Sequence, residues 1–374
     1  MSLRKDLSDP NPYPELPVKQ NLRILTINCR SVKENNSEFK MAINYIKPDI
    51  ICGTESWLKG IHLGKPTSPN AINNAEIFPS NYQAFRNDRG TRGGGVFIAV
   101  QNNLTAIECI DFITDCELEY VKVSLKSKKV LYVGSFYMPK RNISDINKLA
   151  DSLNLLNSSK PKHLILCGDF NCPDIDWNTL TVSSDPKVQD RSVQQHLVDT
   201  MAEFNLTQIH EEPAREHKLL DLVFTTNPSL KKSSVNAPSI SDHAMVVSDA
   251  DIRPVYHNQK PRKIFKFAKA NWKAIKADCD SISSEIIIQL NQGTDIEELW
   301  STFKDGIHRS VERNVPSKTC RNKYSLPWVD RKLRKSLKKK ARLYKHAKAK
   351  NNWLKYRQFQ KECKDNSADP NGTM

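Results

Sequence analysis

The sequence predicts an α/β protein: two packed β-sheets flanked by helices, followed by a helical basic extension. Three observations lead there. Short runs of Val, Ile and aromatic residues, ended by Asn, Asp, Gly or Pro, recur from Leu22 to about residue 250, which is the texture of strands. Helical periodicity interrupts them only at intervals, unlike the regular βαβ alternation of a doubly wound parallel sheet. The net charge of +15 is carried by the last third: residues 1–250 hold 28 Lys+Arg against 29 Asp+Glu (−1), and residues 251–374 hold 29 against 13 (+16). Such asymmetry points to modules with different jobs.

Residues 1–20 carry prolines at 10, 12, 14 and 17 and read as a flexible, extended lead-in. Residues 21–250 form the main domain. Strands are predicted near 22–27, 49–54, 94–100, 118–125, 130–137, 163–168, 220–225 and 244–248. Helices are predicted near 37–47, 144–157 and 193–204, with Ser37 and Ser144 as N-caps. A hairpin turn is expected at Ser127–Lys129. Residues 251–320 read as a helical connector, with apolar positions such as Trp272, Ile275, Leu299, Trp300 and Phe303. Residues 321–374 read as a basic amphipathic arm ending in disorder from Asp365. From Arg331 to Lys364 there are 15 Lys+Arg against Glu362, and Leu333, Leu337, Ala341, Tyr344 and Ala347 keep an i, i+3/i+4 stripe.

Several classes are set aside. No apolar run approaches the ~18 residues of a membrane span. The opening MSLRKDLSDP lacks the apolar stretch of a signal peptide. Nine cysteines with no CxxC pair argue against a zinc site or a disulfide framework. The expectation is a reduced, non-secreted protein of nucleus or cytoplasm. There is no Walker A sequence and no GxGxxG, and Gly93–Gly95 enters a strand rather than a helix.

The chemistry lies where polar residues end apolar strands. The segments are Thr26-Ile27-Asn28, Gly53-Thr54-Glu55-Ser56-Trp57, Gly134-Ser135-Phe136-Tyr137, Gly168-Asp169-Phe170-Asn171 and Ser241-Asp242-His243, with Asp221 inside the apolar run 219–224. Carboxylates at several strand ends can converge on one hard cation, because oxygen ligands suit Mg²⁺ and Mn²⁺. A nearby histidine can move protons or stabilise developing charge. Singly, each has a plainer reading: a turn for Asp-Phe-Asn, a helix start for Glu55, a cap for Asp242-His243, a half-buried phenol for Tyr137, a lysine partner for Asp221. Together they are harder to dismiss.

In this order the residues resemble the endonuclease/exonuclease/phosphatase superfamily. More narrowly, they are similar to the apurinic-type endonuclease domain of non-LTR retrotransposons. Supporting phrases are Leu25–Ser31, Thr54–Leu58, Arg92–Val96 and Leu220–Phe224. The resemblance covers about residues 20–250 and implies a four-layer α/β/β/α sandwich. Pro327-Trp328, Arg331, Leu333 and Leu337 resemble the connector that precedes a reverse transcriptase. No Tyr/Phe-x-Asp-Asp motif follows, so a chain lacking the polymerase domain is expected.

The resemblance also implies roles. Glu55 would be the principal ligand of Mg²⁺ (or Mn²⁺), with Asn28 beside it and Asp242 as a second ligand. Asp169 would position or deprotonate the attacking water, and Asn171 would orient Asp169 and hold the phosphate. Tyr137 would donate to a phosphate oxygen. His243 would stabilise charge growing on the phosphate, oriented by Asp221. Two departures stand out: Pro213-Ala214-Arg215 where the family often has Pro-Thr-Arg, and Tyr137-Met138-Pro139-Lys140 where it often has Tyr-Arg-Pro-Pro. Neither removes a metal ligand.

For the arm, Arg331, Lys332, Arg334, Lys335, Lys338, Lys339 and Lys340 are expected to contact nucleic acid, interleaved with Tyr344, Trp353, Tyr356 and Phe359. DNA is the expected partner, with element RNA a second one through the arm and no membrane. Residues 332–340 suit a nuclear-localisation stretch nearly as well, and the two readings are compatible. The expected function is a Mg²⁺-dependent endonuclease that nicks one DNA strand and leaves a 3′-hydroxyl, as in target-primed retrotransposition. The alternatives are a phosphatase or phosphodiesterase of the same superfamily and a catalytically inactive nucleic-acid-binding module.

Overall fold

A computed structural model describes residues 21–62, 64–91, 93–126, 129–158, 163–215, 217–256, 262–320 and 331–367. They divide into two compact units, one of residues 1–257 with 326–374 and the other of residues 258–325. The lead-in 1–20 and the last seven residues lie outside the described residues.

The first unit begins with β1 (Leu22–Asn28), α1 (Asn36–Ile46), β2 (Ile50–Thr54), α2 (Asn74–Ile77), β3 (Tyr82–Asn87), β4 (Val96–Gln101), β5 (Ala106–Glu108) and β6 (Glu117–Ser124). It continues with β7 (Val130–Tyr137), α3 (Ile143–Ser158), β8 (Leu164–Asp169), β9 (Ile175–Asp176), β10 (Thr181–Val182) and α4 (Arg191–Glu203). Then come β11 (Thr207–Gln208), β12 (Asp221–Thr225), β13 (Lys231–Ala237) and β14 (Met245–Ala250). One six-stranded sheet has the order β13-β14-β1-β2-β4-β3 and the other β11-β12-β8-β7-β6-β5. Each is antiparallel except for one central parallel pair, β1–β2 and β7–β8 respectively.

Strand alternation explains the layers. Leu22 and Ile24 of β1 face the second sheet and meet Val121, Val133, Ile165 and Val223 in the inter-sheet core. Leu25 and Ile27 point the other way, onto Phe39, Ile43 and Ile46 of α1. On the far side, Leu118, Tyr120, Phe136, Leu166 and Phe224 pack under α3 and α4. The result is the four-layer α/β/β/α sandwich.

Four strands of the two six-stranded sheets escaped the sequence reading: β3, β5, β11 and β13. β13 (KKSSVNA) has no apolar run; it is an edge strand held by its ladder to β14. β3 and β5 are likewise edge strands. Ser37 and Ser144 are not caps but lie inside α1 and α3. Asn142 does the capping of α3: its Oδ1 accepts from the Asp145 N–H at 2.7 Å and its Nδ2 donates to the Asp145 carboxylate at 2.8 Å. The expected turn at 127–129 falls partly outside the described residues, but β6 and β7 pair antiparallel on either side of it.

Gly168 fixes the spacing of β7 and β8 beside the site. Its φ is +148°, and a Cβ there would stand 1.8 Å from the Phe136 carbonyl oxygen. Gly168→Ala should therefore lower the urea midpoint by the equivalent of about 3 kcal/mol. An unchanged midpoint would mean that the two strands can part freely.

Residues 251–256 stay with the sandwich, where Leu104 bridges to Tyr256 and Leu125 to Pro254. The second unit pairs β15 (Arg262–Phe265) with β16 (Ser317–Cys320) and packs α5 (Trp272–Asn291) on α6 (Ile296–Asn314). The Asp278 carboxylate ties these helices by accepting from Ser310 Oγ at 2.8 Å and Asn314 Nδ2 at 2.7 Å.

The basic arm corrects the sequence reading most. It forms α7 (Arg331–Lys350) and α8 (Leu354–Ser367), continuing past the expected onset of disorder at Asp365. The two helices belong to the sandwich unit rather than extending from it. Tyr344, Ala347 and Tyr356 form a small core with Trp353 against them, and Phe359 is also buried. These aromatics stabilise the hairpin, so they are not open platforms for base stacking. Among the described residues, no helix is long and apolar enough to cross a membrane.

Candidate active site

The sheet topology delivers both halves of the site to one end of the sandwich. Asn28 ends β1 and Glu55 follows β2, the parallel pair of the first sheet. Tyr137 ends β7 and Asp169 ends β8, the parallel pair of the second. Asp221 opens β12 directly opposite Asp169 in the ladder. His243 lies just ahead of β14, whose pairing with β1 brings it to the same end. Glu55 and Asn171 adopt left-handed φ values of 49° and 50°, a sparsely populated conformation of the kind found where side chains must be aimed.

Hydrogen bonds join the groups. Asn28 Nδ2 donates to Glu55 Oε1 at 3.0 Å and to Asp169 Oδ2 at 2.9 Å, so one amide bridges the two sheets. The Tyr137 hydroxyl donates to Glu55 Oε1 at 3.1 Å. The Asn171 backbone N–H donates to Asp169 Oδ1 at 3.1 Å, while its side-chain amide donates to the Met138 carbonyl at 2.7 Å. His243 Nδ1 and Asp221 Oδ2 are 2.7 Å apart, with both side chains almost fully buried. Asp169, Asp221 and His243 each offer one donor atom within 4.8 Å of the others.

Burial and charge set the protonation of this cluster. Burial raises the Asp169 pKa, the neighbouring Asp221 raises it further, and His243, Asn28 and Asn171 oppose both, leaving it at about 7. Burial alone would lower that of His243, but Asp221 beside it prevails, with Asp169 and Asp242 adding, and lifts it to about 9. Desolvation and the Glu55 carboxylate push the Tyr137 phenol upward, so it stays a hydrogen-bond donor at neutral pH.

Asp242 has other partners in this geometry. Its carboxylate is 3.0 Å from Arg215 and 3.5 Å from Arg30, and those two guanidiniums neutralise it. The sequence reading missed these arginines, and also Arg89, whose guanidinium lies 5.7 Å from the centre of the Tyr137 ring and pairs with Glu117. Their signal was proximity: Arg30 is two residues from Asn28, and Arg215 closes the Pro213-Ala214-Arg215 segment. Ala214 itself is buried and accepts from the Ala244 N–H at 2.6 Å, so that segment flanks His243 through its backbone.

Among the cations expected on DNA, Lys335, Lys338 and Lys339 are exposed, with Lys339 Nζ lying 4.3 Å from the centre of the Phe359 ring. Lys340 is not available: it is buried, donates to the Ser239 carbonyl at 3.0 Å and sits 3.8 Å from Glu38. The side chains of Arg331, Lys332 and Arg334 lie outside the described residues.

Comparison with known proteins agrees with the motifs. Residues 131–247 match the model of the family described as endonuclease-reverse transcriptase. No curated protein matched the chain. Similar solved structures include the endonuclease domain of TRAS1, a telomere-specific non-LTR retrotransposon, at 18% identity over 61% of this chain and 97% of that one, with a TM-score of 0.46. Others are a 3′-5′ exonuclease from Neisseria meningitidis (15% identity, 61% and 99% covered, TM-score 0.47) and an AP endonuclease from Archaeoglobus fulgidus (17%, 62% and 99%, 0.44). Tyr137, Asp169, Asp221 and His243 all lie inside the segment that matches the endonuclease-reverse transcriptase family model.

Proposed function

We propose that the protein is a divalent-metal-dependent DNA endonuclease that nicks one strand and leaves a 3′-hydroxyl. The observation that carries this reading is the meeting of Asn28, Glu55 and His243 from one sheet with Tyr137, Asp169 and Asp221 from the other. The donor set fits a hard cation: carboxylate and amide oxygens predominate, and Asp221 Oδ1 is buried with no hydrogen-bond partner. Glu55, with Asn28 beside it, would hold Mg²⁺ or Mn²⁺. A bound cation supplies charge neutralisation at the phosphate.

The chain's own groups have separable tasks. Asp169, held by Asn28 and the Asn171 amide, orients the attacking water and takes its proton. Tyr137 donates to a non-bridging phosphate oxygen. His243, held by Asp221, donates to the oxygen on which negative charge grows. Fixed donors aimed at developing charge are the main source of rate in such a site. Arg30 and Arg215, already restrained by Asp242, are suited to the flanking phosphates. A DNA target makes the nucleus the proposed place of action.

Supercoiled plasmid incubated with the protein and Mg²⁺ should relax to open circles that a DNA polymerase can extend, and a chelator should stop the reaction. Phosphate release from an inositol phospholipid without nicking would favour the phosphatase reading. DNA binding without cleavage would favour the inactive module.

A further inference from the structure

We propose that the α7–α8 hairpin is a positioning element for the catalytic loop, with Lys340 and Gln360 fixing His243 and Asn28 through Ser239 and Ser241. This rests on the endonuclease reading above. Lys340 Nζ donates to the Ser239 carbonyl at 3.0 Å, and Gln360 Nε2 donates to Ser239 Oγ at 3.2 Å. Ser239 Oγ donates in turn to the Ser241 carbonyl at 2.6 Å. Ser241 Oγ accepts from the His243 backbone N–H at 3.2 Å and donates to the Asn28 carbonyl at 2.7 Å. Each hydroxyl accepts once and donates once, so the chain is continuous from the hairpin to His243 and Asn28, the first sheet's contributions to the site.

Packing alone does not call for these residue types. The cavity beneath Lys340 and Ala341 is lined largely by apolar groups, among them Met41, Ile46, Ile240 and Met245. An apolar side chain would fill it without desolvating an ammonium, which is costly unless the charge is used. Lys340 is instead only 6% exposed and spends its charge on the loop and on Glu38. A second anchor, Lys348 to Glu212 at 2.5 Å, ties the same helix to the segment leading into Pro213-Ala214-Arg215, which also flanks His243. The hairpin therefore grips both segments that bracket the imidazole. Small displacements of a reacting group are enough to cost large factors in rate.

The test uses full-length Lys340→Met and Gln360→Ala in steady-state plasmid nicking, with circular dichroism to establish folding. Lys340→Met should lower kcat about tenfold and Gln360→Ala about threefold. KM for DNA and the slope of affinity against salt should stay at the wild-type values. A raised KM with a flatter salt slope would make Lys340 a phosphate contact and overturn the proposal. Wild-type kcat in both folded variants would overturn it as well. If Lys340→Met does not fold, Gln360→Ala decides by the same kcat and KM split. Absence of nicking by the wild-type chain would overturn the endonuclease reading itself, which separates that failure from failure of the positioning role.

Discussion

Asp169→Ala should slow plasmid nicking by about 10²–10³-fold or more while the protein remains folded. The carboxylate sits at the end of β8, bridged to Glu55 by the Asn28 amide and held by the Asn171 N–H. Removing it leaves the water without an orienting group, and it also relieves the repulsion between Asp169 and Asp221 across the ladder. Stability should therefore change little. His243→Ala is expected to be just as inactive but less stable, because Asp221 would then be a buried carboxylate without its partner. His243→Gln keeps a donor toward Asp221 and separates the two effects. Nicking within a few-fold of wild type by folded Asp169→Ala or His243→Gln would sink the assignment.

Glu55→Gln should raise the Mg²⁺ concentration for half-maximal nicking about tenfold or more. The substitution keeps the backbone and the shape, and the amide oxygen can still accept from Asn28 and Tyr137 as Oε1 does now. What disappears is the charge that attracts a hard cation. A metal titration with an unchanged midpoint would make Glu55 a scaffold for Tyr137 and Asn28 instead of a ligand.

Much of this architecture was legible in the sequence because the two sheets announce themselves by apolar strand texture. β1, β2, β4, β6, β7, β8, β12 and β14 all carry such runs, and all are interior to their sheets. β3, β5 and β13 lie outside the strands that carry them, and their polar faces need a neighbour's ladder to become strands. The candidate site residues could be named because strand-end polar residues recur in a recognisable order. Their pairing could not: that Asn28 reaches both Glu55 and Asp169 depends on how the sheets stack. The basic arm misled for a related reason. Amphipathic spacing in α7 reveals that one face wants cover, but not what covers it. Here the stripe at Tyr344 and Ala347 meets α8, and Lys340 faces the sandwich.

β1 is the first strand of the sandwich, yet it lies in the middle of its sheet, and the strand beside it, β14, is the last. The order of synthesis therefore works against early activity. While the chain is being made, Asn28 and Glu55 emerge long before Asp169, Asp221 and His243. The edge of β1 stays open until residues 245–250 arrive to close it. A nascent or prematurely terminated chain thus holds part of the candidate site's residues and none of its geometry. The site therefore comes together late, only after β14 has docked on β1.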